Sequence, residues 1–162
     1  SRMGAWNIRG SDVSVTMDLL IHDADLVLSL FSSDDFTVTK ASAKMVHTRL
    51  PDEISADIVM ADGGSAHLIS SRTHDGRDRK MIIDYPSGRI SIDFVARTFE
   101  NSTGFDINED FASTEIGGDP LGANVTAFIE AAMGLREGPV IDGEAGLRAL
   151  KLVRAIDRAA GF

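Results

Sequence analysis

The sequence predicts an α+β fold with a mostly antiparallel sheet of about five or six strands and helices packed on one face of that sheet. Three observations predict it. Apolar residues recur at helical spacing near both ends of the chain, residues 35–100 alternate between apolar and polar types, and turn sequences interrupt that alternation at short intervals. The order helix, strands, helices is typical of a layer of helices on an antiparallel sheet.

The composition limits the class of molecule. A chain of 162 residues, 43% of them hydrophobic, has the length of one domain, so we expect a single domain over residues 1–162. Its formal net charge of -9 repels nucleic acid and anionic membranes, which leaves small molecules and proteins as expected partners. Without cysteine it has no disulfide and no thiolate metal site. We expect a cytoplasmic protein without a signal peptide or a membrane span.

The first element is predicted to be a helix that follows a loop. Residues 1–11, SRMGAWNIRGS, show no clear period and are expected to form that loop. Ser11 or Asp12 is a plausible cap for a helix that runs to about Phe31, where SSDD interrupts the apolar pattern.

The middle of the chain is predicted to form five strands. They are expected at residues 36–49, 54–61, 65–74, 79–86 and 89–99. The turn sequences PDE, DGG, HDGRD and PSG separate them, and short turns between successive strands indicate an antiparallel meander.

The predicted sheet carries apolar residues on both faces. Strict alternation places Val38 and Val46 on one face of the first strand and Ala41, Ala43 and Met45 on the other. A face that no helix covers must find another partner if it is apolar, so we expect a dimer that forms through sheet faces.

Two helices are expected in the last third. Asp119 followed by Pro120 is typical of a helix start, and the helical spacing continues to Gly134. Asp142 then caps a final helix that ends before Gly161, with an apolar face expected in the register of Leu147 and Leu150.

A line of polar side chains runs along the otherwise apolar first helix. At about 100° per residue, Asp18, His22 and Asp25 share a narrow line, with Ser14 and Ser29 above and below. Because a buried unpaired carboxylate costs several kcal/mol, the two aspartates must meet water, a partner or a ligand.

Four interpretations of this polar line stay open. It can be a solvated stripe, His22 can form a structural hydrogen bond, or Asp18, His22 and Asp25 can bind a divalent metal. In the fourth, the line faces a wet cleft where His22 is a general base, oriented and stabilised in its protonated form by a carboxylate one turn away.

Residues 18–26, DLLIHDADL, resemble the D-x-x-x-H signature in the C-terminal domain of the Gfo/Idh/MocA family of NAD(P)-dependent sugar and polyol dehydrogenases. ADGGSAHLISSR at 61–72 is similar to the family's strand hairpin, and GPVIDGEAGLRALKLVRAI at 138–156 to its closing loop and helix. The resemblance covers most of the chain. Residues 2–26 are most similar to a bacterial branch that oxidises the 3-hydroxyl of a nucleotide sugar to a ketone.

The resemblance implies roles for the polar line. His22 would be the general base that takes the hydroxyl proton, and Asp18 would position His22 or a sugar hydroxyl. Asp25 would also face the substrate. The full-length enzyme would use NAD or NADP, and the sheet would mediate oligomerisation.

Three residues outside the line could also contact a nucleotide-sugar substrate. Arg9 and Arg72 could neutralise a diphosphate by forked hydrogen bonds, although an exposed arginine without a ligand is the simpler interpretation. Trp6 could stack on a sugar or a base, although a domain's single tryptophan more often serves packing.

The chain also departs from the family pattern. It has no G-x-G-x-x-G after a strand, and the glycine pairs 63–64 and 117–118 fall in apparent turns. The family's E-K-P motif, with its catalytic lysine, is absent too. We therefore expect this polypeptide alone to be inactive and not to hold NAD tightly. We also expect no bound metal, because no second cluster supplies the ligands that the polar line lacks. The alternative is a non-catalytic α+β dimerisation or ligand-binding module.

Overall fold

The computed structural model describes residues 1–108, 110–139 and 141–162. Contacts between residues divide this chain into two compact units, one formed by Ser1–Arg79 with Glu144–Phe162 and the other by Lys80–Gly143. All candidate site residues named above lie in the first unit. The single domain expected over residues 1–162 stays a prediction.

The described residues form an α+β arrangement with mostly antiparallel strand pairs, which confirms the predicted fold class. The strands are β1 Arg2–Met3, β2 Phe36–Lys44, β3 Glu53–Met60, β4 Ser65–Ser71, β5 Asp78–Tyr85, β6 Gly88–Asp93 and β7 Thr98–Asn101. The helices are α1 Ile21–Leu28, α2 Glu115–Gly118, α3 Pro120–Ala132 and α4 Gly143–Ala159.

A strand that the sequence did not predict changes the topology of the first unit. Residues Arg2–Met3, expected to lie in a loop, form β1, which pairs in parallel with β4. On its other side β1 pairs antiparallel with Asp78 and Arg79, the first residues of β5. The predicted meander is therefore wrong at this point, because β4 meets β1 where it was expected to meet β5.

Two predicted strands end earlier than their apolar patterns suggest. β2 stops at Lys44 because the Asp52 carboxylate accepts the backbone N–H groups of residues 46–48 and bends the chain there. The stretch predicted as one strand over 89–99 divides into β6 and β7. The Asp93 carboxylate accepts the N–H groups of Val95 and Ala96, and Arg97 has a φ of 61°, so a turn separates the two strands.

A β-bulge in β2 corrects the expected distribution of side chains between the two faces. Val38 pairs with Ile58 and Lys40 pairs with Asp57, which leaves Thr39 as the extra residue. Beyond the bulge the alternation is inverted, so Val38, Ala41 and Ala43 all lie on the face that the helices cover.

The opposite face of β2, β3 and β4 is mostly polar. Paired across these strands, it comprises Thr37, Lys40, Ser42, Lys44, Glu53, Ser55, Asp57, Val59, Ser65, His67, Ile69 and Ser71, here called the open face. The apolar surface that motivated the predicted dimer is therefore not found on this face.

The first helix begins later than predicted and opens with a wide turn. Thr16–Leu20 form a π-helical turn, in which the Ile21 N–H donates to the Thr16 carbonyl, and α1 follows. Neither Ser11 nor Asp12 caps the helix; the Ser14 hydroxyl accepts from the Met17 N–H at 3.3 Å. The helix ends at Leu28, three residues before the predicted end at Phe31.

The core of the first unit lies between the helices and the buried face of β3. Ile54, Ile58 and Met60 alternate along this face and are almost fully buried. On α4 the buried side chains are Ala149, Leu152, Val153 and Ile156, the spacing of one helical face. Leu147, which was expected on that face, is 50% exposed.

The second unit contains the antiparallel pairs β5–β6 and β6–β7 and the helix α3. The predicted start of α3 is confirmed, since the Asp119 carboxylate accepts from the Gly122 N–H at 2.9 Å and Pro120 is the first helical residue. Among the described residues, none of the helices combines the length and apolar content that crossing a membrane requires.

Candidate active site

The π-helical turn and α1 carry the polar line that the sequence indicated. His22 is exposed, and Asp18 and Asp25 are partly buried. Because the π turn contains Asp18, the winding between Asp18 and His22 differs from that of a regular α-helix. In the described part of the chain no hydrogen bond joins these two side chains.

A carboxylate next to His22 was not predicted as part of the site. Asp23 is only 5% exposed, and its Oδ1 accepts from Nε and Nη2 of Arg2, each at 3.4 Å. Arg2 on β1 is paired with Arg79 on β5. A lone aspartate in an apolar arc signals that a cation must lie nearby, but the local sequence does not say which one.

The charges around His22 favour its neutral form. Partial desolvation of the His22 ring lowers its pKa, although the residue is exposed; the positive charges of Arg2 and Arg79 lower it further, and Asp23 and Asp18 oppose this change. The expected stabilisation of the imidazolium by Asp18 is therefore outweighed. A neutral imidazole at neutral pH can accept a proton, which is the form a general base needs.

The loop before the helix confines Asp18. Gly10 has a φ of +76°, and a Cβ added to it would lie 2.7 Å from Oδ2 of Asp18. This close approach requires a residue without a side chain at position 10. The carboxylate of Asp18 therefore lies against the loop backbone.

Arg72 is buried, and each of its three side-chain nitrogens donates to a protein group. Its side chain is 5% exposed, its Nε donates to Oδ1 of Asp52 at 2.7 Å, and its Nη1 donates to the Gly10 carbonyl at 2.6 Å. Nη2 lies 3.4 Å from the Thr48 hydroxyl and from the Pro51 carbonyl. The exposed arginine considered in the sequence analysis is thus not found at this position. Binding of a diphosphate by Arg72 stays a prediction that would require these bonds to be exchanged.

Trp6 and Arg9 lie on the same loop as Gly10. The Trp6 ring is 4.7 Å from the His47 ring, centroid to centroid, and the Arg72 guanidinium carbon is 5.5 Å from the Trp6 centroid. Trp6 therefore packs against two side chains of the protein. Arg9 is exposed, and its backbone N–H donates to the side chain of Asn7 at 3.0 Å.

A cavity of about 490 Å³ lies elsewhere in the first unit. Ser42, Ser55, Ser71, Thr73 and His74 contribute to its lining, and none of the predicted site residues does. The recess that the sequence analysis expected beside His22 and Asp18 is therefore not this cavity.

The metal interpretation of the polar line finds no support in the geometry. Across residues 1–108, 110–139 and 141–162, no three His, Asp or Glu side chains are grouped so that they could hold a metal ion. This includes Asp18, His22 and Asp25.

Solved structures define the class of protein to which this fold belongs. The WlbA dehydrogenase from Bordetella pertussis, solved with NADH and UDP-GlcNAcA, matches with a TM-score of 0.80 over 98% of this chain and 52% of that one. At 17% identity this likeness shows the fold alone. The chain therefore has the fold of about half of this dehydrogenase chain, and its helix carries the D-x-x-x-H signature through which the sequence resembles the Gfo/Idh/MocA family.

A closer similarity points to one member of that class. UDP-N-acetylglucosamine 3-dehydrogenase from Acidithiobacillus ferrooxidans is 31% identical over 157 residues, which cover 92% of this chain and 49% of the relative. A solved structure of that enzyme matches with a TM-score of 0.83 and 29% identity, over 98% of this chain and 50% of that one. The chain is a homologue of this enzyme and spans about half its length. No family model matches the chain.

Proposed function

We propose that this chain is the substrate-binding and dimerisation half of an NAD(P)-dependent dehydrogenase that oxidises a hydroxyl of a sugar or nucleotide sugar to a ketone. The observation that carries the proposal is an exposed imidazole at the start of α1, four residues after an aspartate that lies against the loop at Gly10. The similarity to a nucleotide-sugar 3-dehydrogenase over most of the chain supports it.

His22 is the proposed general base. Its lowered pKa keeps the ring neutral near pH 7, and its exposure leaves the ring accessible to a sugar alcohol. The imidazole would accept the hydroxyl proton while the carbon that bears the hydroxyl is oxidised. Asp18 and Asp25 are proposed to bind neighbouring hydroxyls of the sugar, because carboxylates are strong hydrogen-bond acceptors.

Neither glycine pair in the described residues has the arrangement of a dinucleotide site. Gly63 and Gly64 lie in the hairpin between β3 and β4, and Gly117 and Gly118 lie in α2 and do not follow a strand. Neither pair joins a strand to the N-terminus of a helix, which is the arrangement that binds a pyrophosphate. We therefore assign the hydride acceptor, NAD or NADP, to no residue of this chain.

A UDP-sugar is the proposed substrate because the homologous enzyme is named for one. Arg9 and Trp6 are proposed to contact the nucleotide part, since both lie on the loop that adjoins Asp18. Arg9 is exposed and can present its guanidinium to a diphosphate.

The proposal includes a homo-oligomer that forms through the open face. This face pairs basic residues on β2 with acidic residues on β3, as in Lys44 and Glu53 at 3.4 Å, so a second copy would meet a polar surface with both charges. The cytoplasmic location stays a prediction.

Activity of the longer enzyme tests the proposal. The full-length protein would be assayed with UDP-N-acetylglucosamine and simple polyols, with NAD as oxidant, beside His22→Ala and His74→Ala. We expect a loss of kcat of at least about 10²-fold for His22→Ala and little change for His74→Ala, whose exposed ring bonds to Gly76 in its own turn. Equal activity of His22→Ala and the parent enzyme, with both folded by circular dichroism, would refute the assigned role.

A further inference from the structure

The bonds of Arg72 connect three segments that are distant in sequence. Its guanidinium donates to Asp52, to the Pro51 carbonyl and to the Gly10 carbonyl. Asp52 is fully buried and also accepts from the backbone N–H groups of residues 46–48. It therefore fixes the loop after β2 as well as Arg72. A buried, multiply bonded Arg–Asp pair of this kind is a rigid anchor.

Gly10 contacts both the Arg72–Asp52 pair and Asp18. The Gly10 carbonyl accepts from Arg72 at 2.6 Å, and the Cα of the same residue faces Oδ2 of Asp18 so closely that a Cβ there would lie 2.7 Å away. A displacement of Gly10 would therefore open or close the space that the Asp18 carboxylate occupies.

Trp6 belongs to the same arrangement. Its ring lies 5.5 Å from the Arg72 guanidinium carbon and stacks near His47, so the loop is held at Trp6 as well as at Gly10. The Arg72 guanidinium thus contacts the loop at two points, the Gly10 carbonyl and the Trp6 ring.

We infer that Arg72 is a positioning residue for the candidate active site: bound to Asp52, it holds the loop of Trp6 and Gly10 in place, and through Gly10 it sets the position of the Asp18 carboxylate relative to His22. This inference rests on the proposed function only in treating Asp18 and His22 as active-site residues. The placement itself can be tested in this chain without substrate or cofactor.

The test is a double-mutant cycle read on the His22 ring. The negative charge of Asp18 raises the pKa of His22, so Asp18→Asn lowers the midpoint of the His22 titration measured by NMR. If Arg72 positions Asp18, Arg72→Lys reduces this effect, because lysine keeps the charge but cannot form the same fork of bonds. An equal effect of Asp18→Asn in both backgrounds would overturn the inference.

The fluorescence of Trp6, the only tryptophan, gives a second readout. We expect Arg72→Lys to shift its emission to longer wavelength and to increase quenching by acrylamide, as the loop gains contact with water. The matched control is Arg89→Lys, which changes an exposed arginine paired with Asp84 at 2.6 Å and should leave the emission unchanged. An unchanged emission in Arg72→Lys would count against the inference.

Gly10→Ala covers the case in which Arg72→Lys does not fold. It leaves the Arg72–Asp52 pair intact and places a methyl group against Asp18. Its control is Gly134→Ala, since Gly134 has a similar φ of +71° but nothing within 4 Å of the added Cβ. We expect Gly10→Ala, and not Gly134→Ala, to change the effect of Asp18→Asn on the His22 midpoint. The same effect in both glycine variants would overturn the inference.

Discussion

Val38 and Ala41 lie on the same face of β2 although three positions separate them. Val38 is paired with Ile58 and Ala41 with Ala56, two neighbouring residues of the buried face of β3. The bulge at Thr39 makes this possible, because one extra residue inverts the alternation beyond it. It places Lys40, Ser42 and Lys44 on the open face and the small apolar residues on the core side.

Deletion of Thr39 should strongly destabilise the first unit. Without the extra residue, either Lys40 and Ser42 turn toward the core or the pairing of β2 slips, and burial of an unpaired polar group costs about 1–3 kcal/mol each. Urea unfolding followed by circular dichroism would measure the loss. Thr39→Ala is the control, because it keeps the bulge and removes only the bond from its hydroxyl to the Asp57 carbonyl. Similar stabilities for the deletion and for Thr39→Ala would contradict the role of the bulge.

The His22 ring should titrate below its ordinary pKa of about 6.5. Burial and the charges of Arg2 and Arg79 lower the pKa, so Arg2→Gln, which removes one positive charge, should raise the NMR midpoint. The control Arg89→Gln alters an exposed arginine that is paired with Asp84 and is not among the charges that shift the pKa of His22, so it should leave the midpoint unchanged. A wild-type midpoint at or above the ordinary value would contradict the arrangement of charges described above.

The lowered pKa of His22 also determines how the stability of the protein changes with pH. Because the folded protein binds the His22 proton less readily than the unfolded chain, the contribution of His22 to stability is complete above about pH 6.5 and declines as the pH falls below it. His22→Gln should remove this part of the pH dependence. Urea midpoints of the two proteins, compared between pH 5 and pH 8, would show a smaller slope for His22→Gln; parallel curves would argue against it.

Asp52→Asn should destabilise the protein by about 3–5 kcal/mol, since it leaves Arg72 buried without its charge partner. Equilibrium unfolding in urea would measure this loss. Asp84→Asn is the matched control, because Asp84 pairs with an arginine in an exposed site and its loss should change stability little. Equal losses of unfolding free energy in the two variants would show that the buried Arg72–Asp52 pair stabilises the protein no more than the exposed pair does.

The acid sensitivity of the protein should also depend on Asp52. Hydrogen bonds from the N–H groups of His47, Val46 and Thr48 and from Arg72 outweigh burial and hold the pKa of Asp52 well below its ordinary value. Its stabilising contribution is therefore present above about pH 4 and is lost as the pH falls toward the lowered pKa. Asp52→Asn should lose less stability than wild type between pH 5 and pH 2, and an identical loss would contradict this assignment.

Leu20→Ala should destabilise the helix that carries the site by about 2–5 kcal/mol. Leu20 is fully buried in the π-helical turn, so its truncation leaves a cavity under the polar line. Leu30→Ala, at a position that is 44% exposed, is the control and should cost much less. Thermal unfolding of both variants measures the difference, and equal melting temperatures would show that the turn is not packed as described.

The proposed dimer through the open face can be tested at Ser55. This residue lies in the middle of the face, paired with Ser42 on β2 and Ile69 on β4, so Ser55→Arg would introduce a long charged side chain there. We expect a dimer mass for wild type and a monomer mass for the variant in light scattering at micromolar concentration. Ser87→Arg, in the turn between β5 and β6, should remain dimeric. A monomeric wild type would refute the proposed dimer.

Only the local part of the candidate site could be predicted from spacing. A D-x-x-x-H pair on an apolar helix places two polar groups about one turn apart, and the structure has Asp18 in the π-helical turn and His22 in α1; the roles of both residues stay a prediction. The environment of that pair was not predictable. Asp23 and Arg2 are 21 residues apart, and Arg72 and Gly10 are 62 residues apart, so only the folded chain brings them together.

The sequence by itself predicted the α+β class, most of the strands and the turns between them, the start of α3, and a helical segment that carries the polar line. Each of these features depends on residues within a few positions of one another. Helices and strands can therefore be recognised from apolar residues that recur with periods of 3.6 and 2 residues. The tertiary structure alone decided the insertion of β1 between β4 and β5, the inverted alternation beyond Thr39 and the burial of Arg72. The physical reason is that strand pairing and charge burial depend on which distant segments meet, and hydrogen bonds between distant residues leave no period in the sequence.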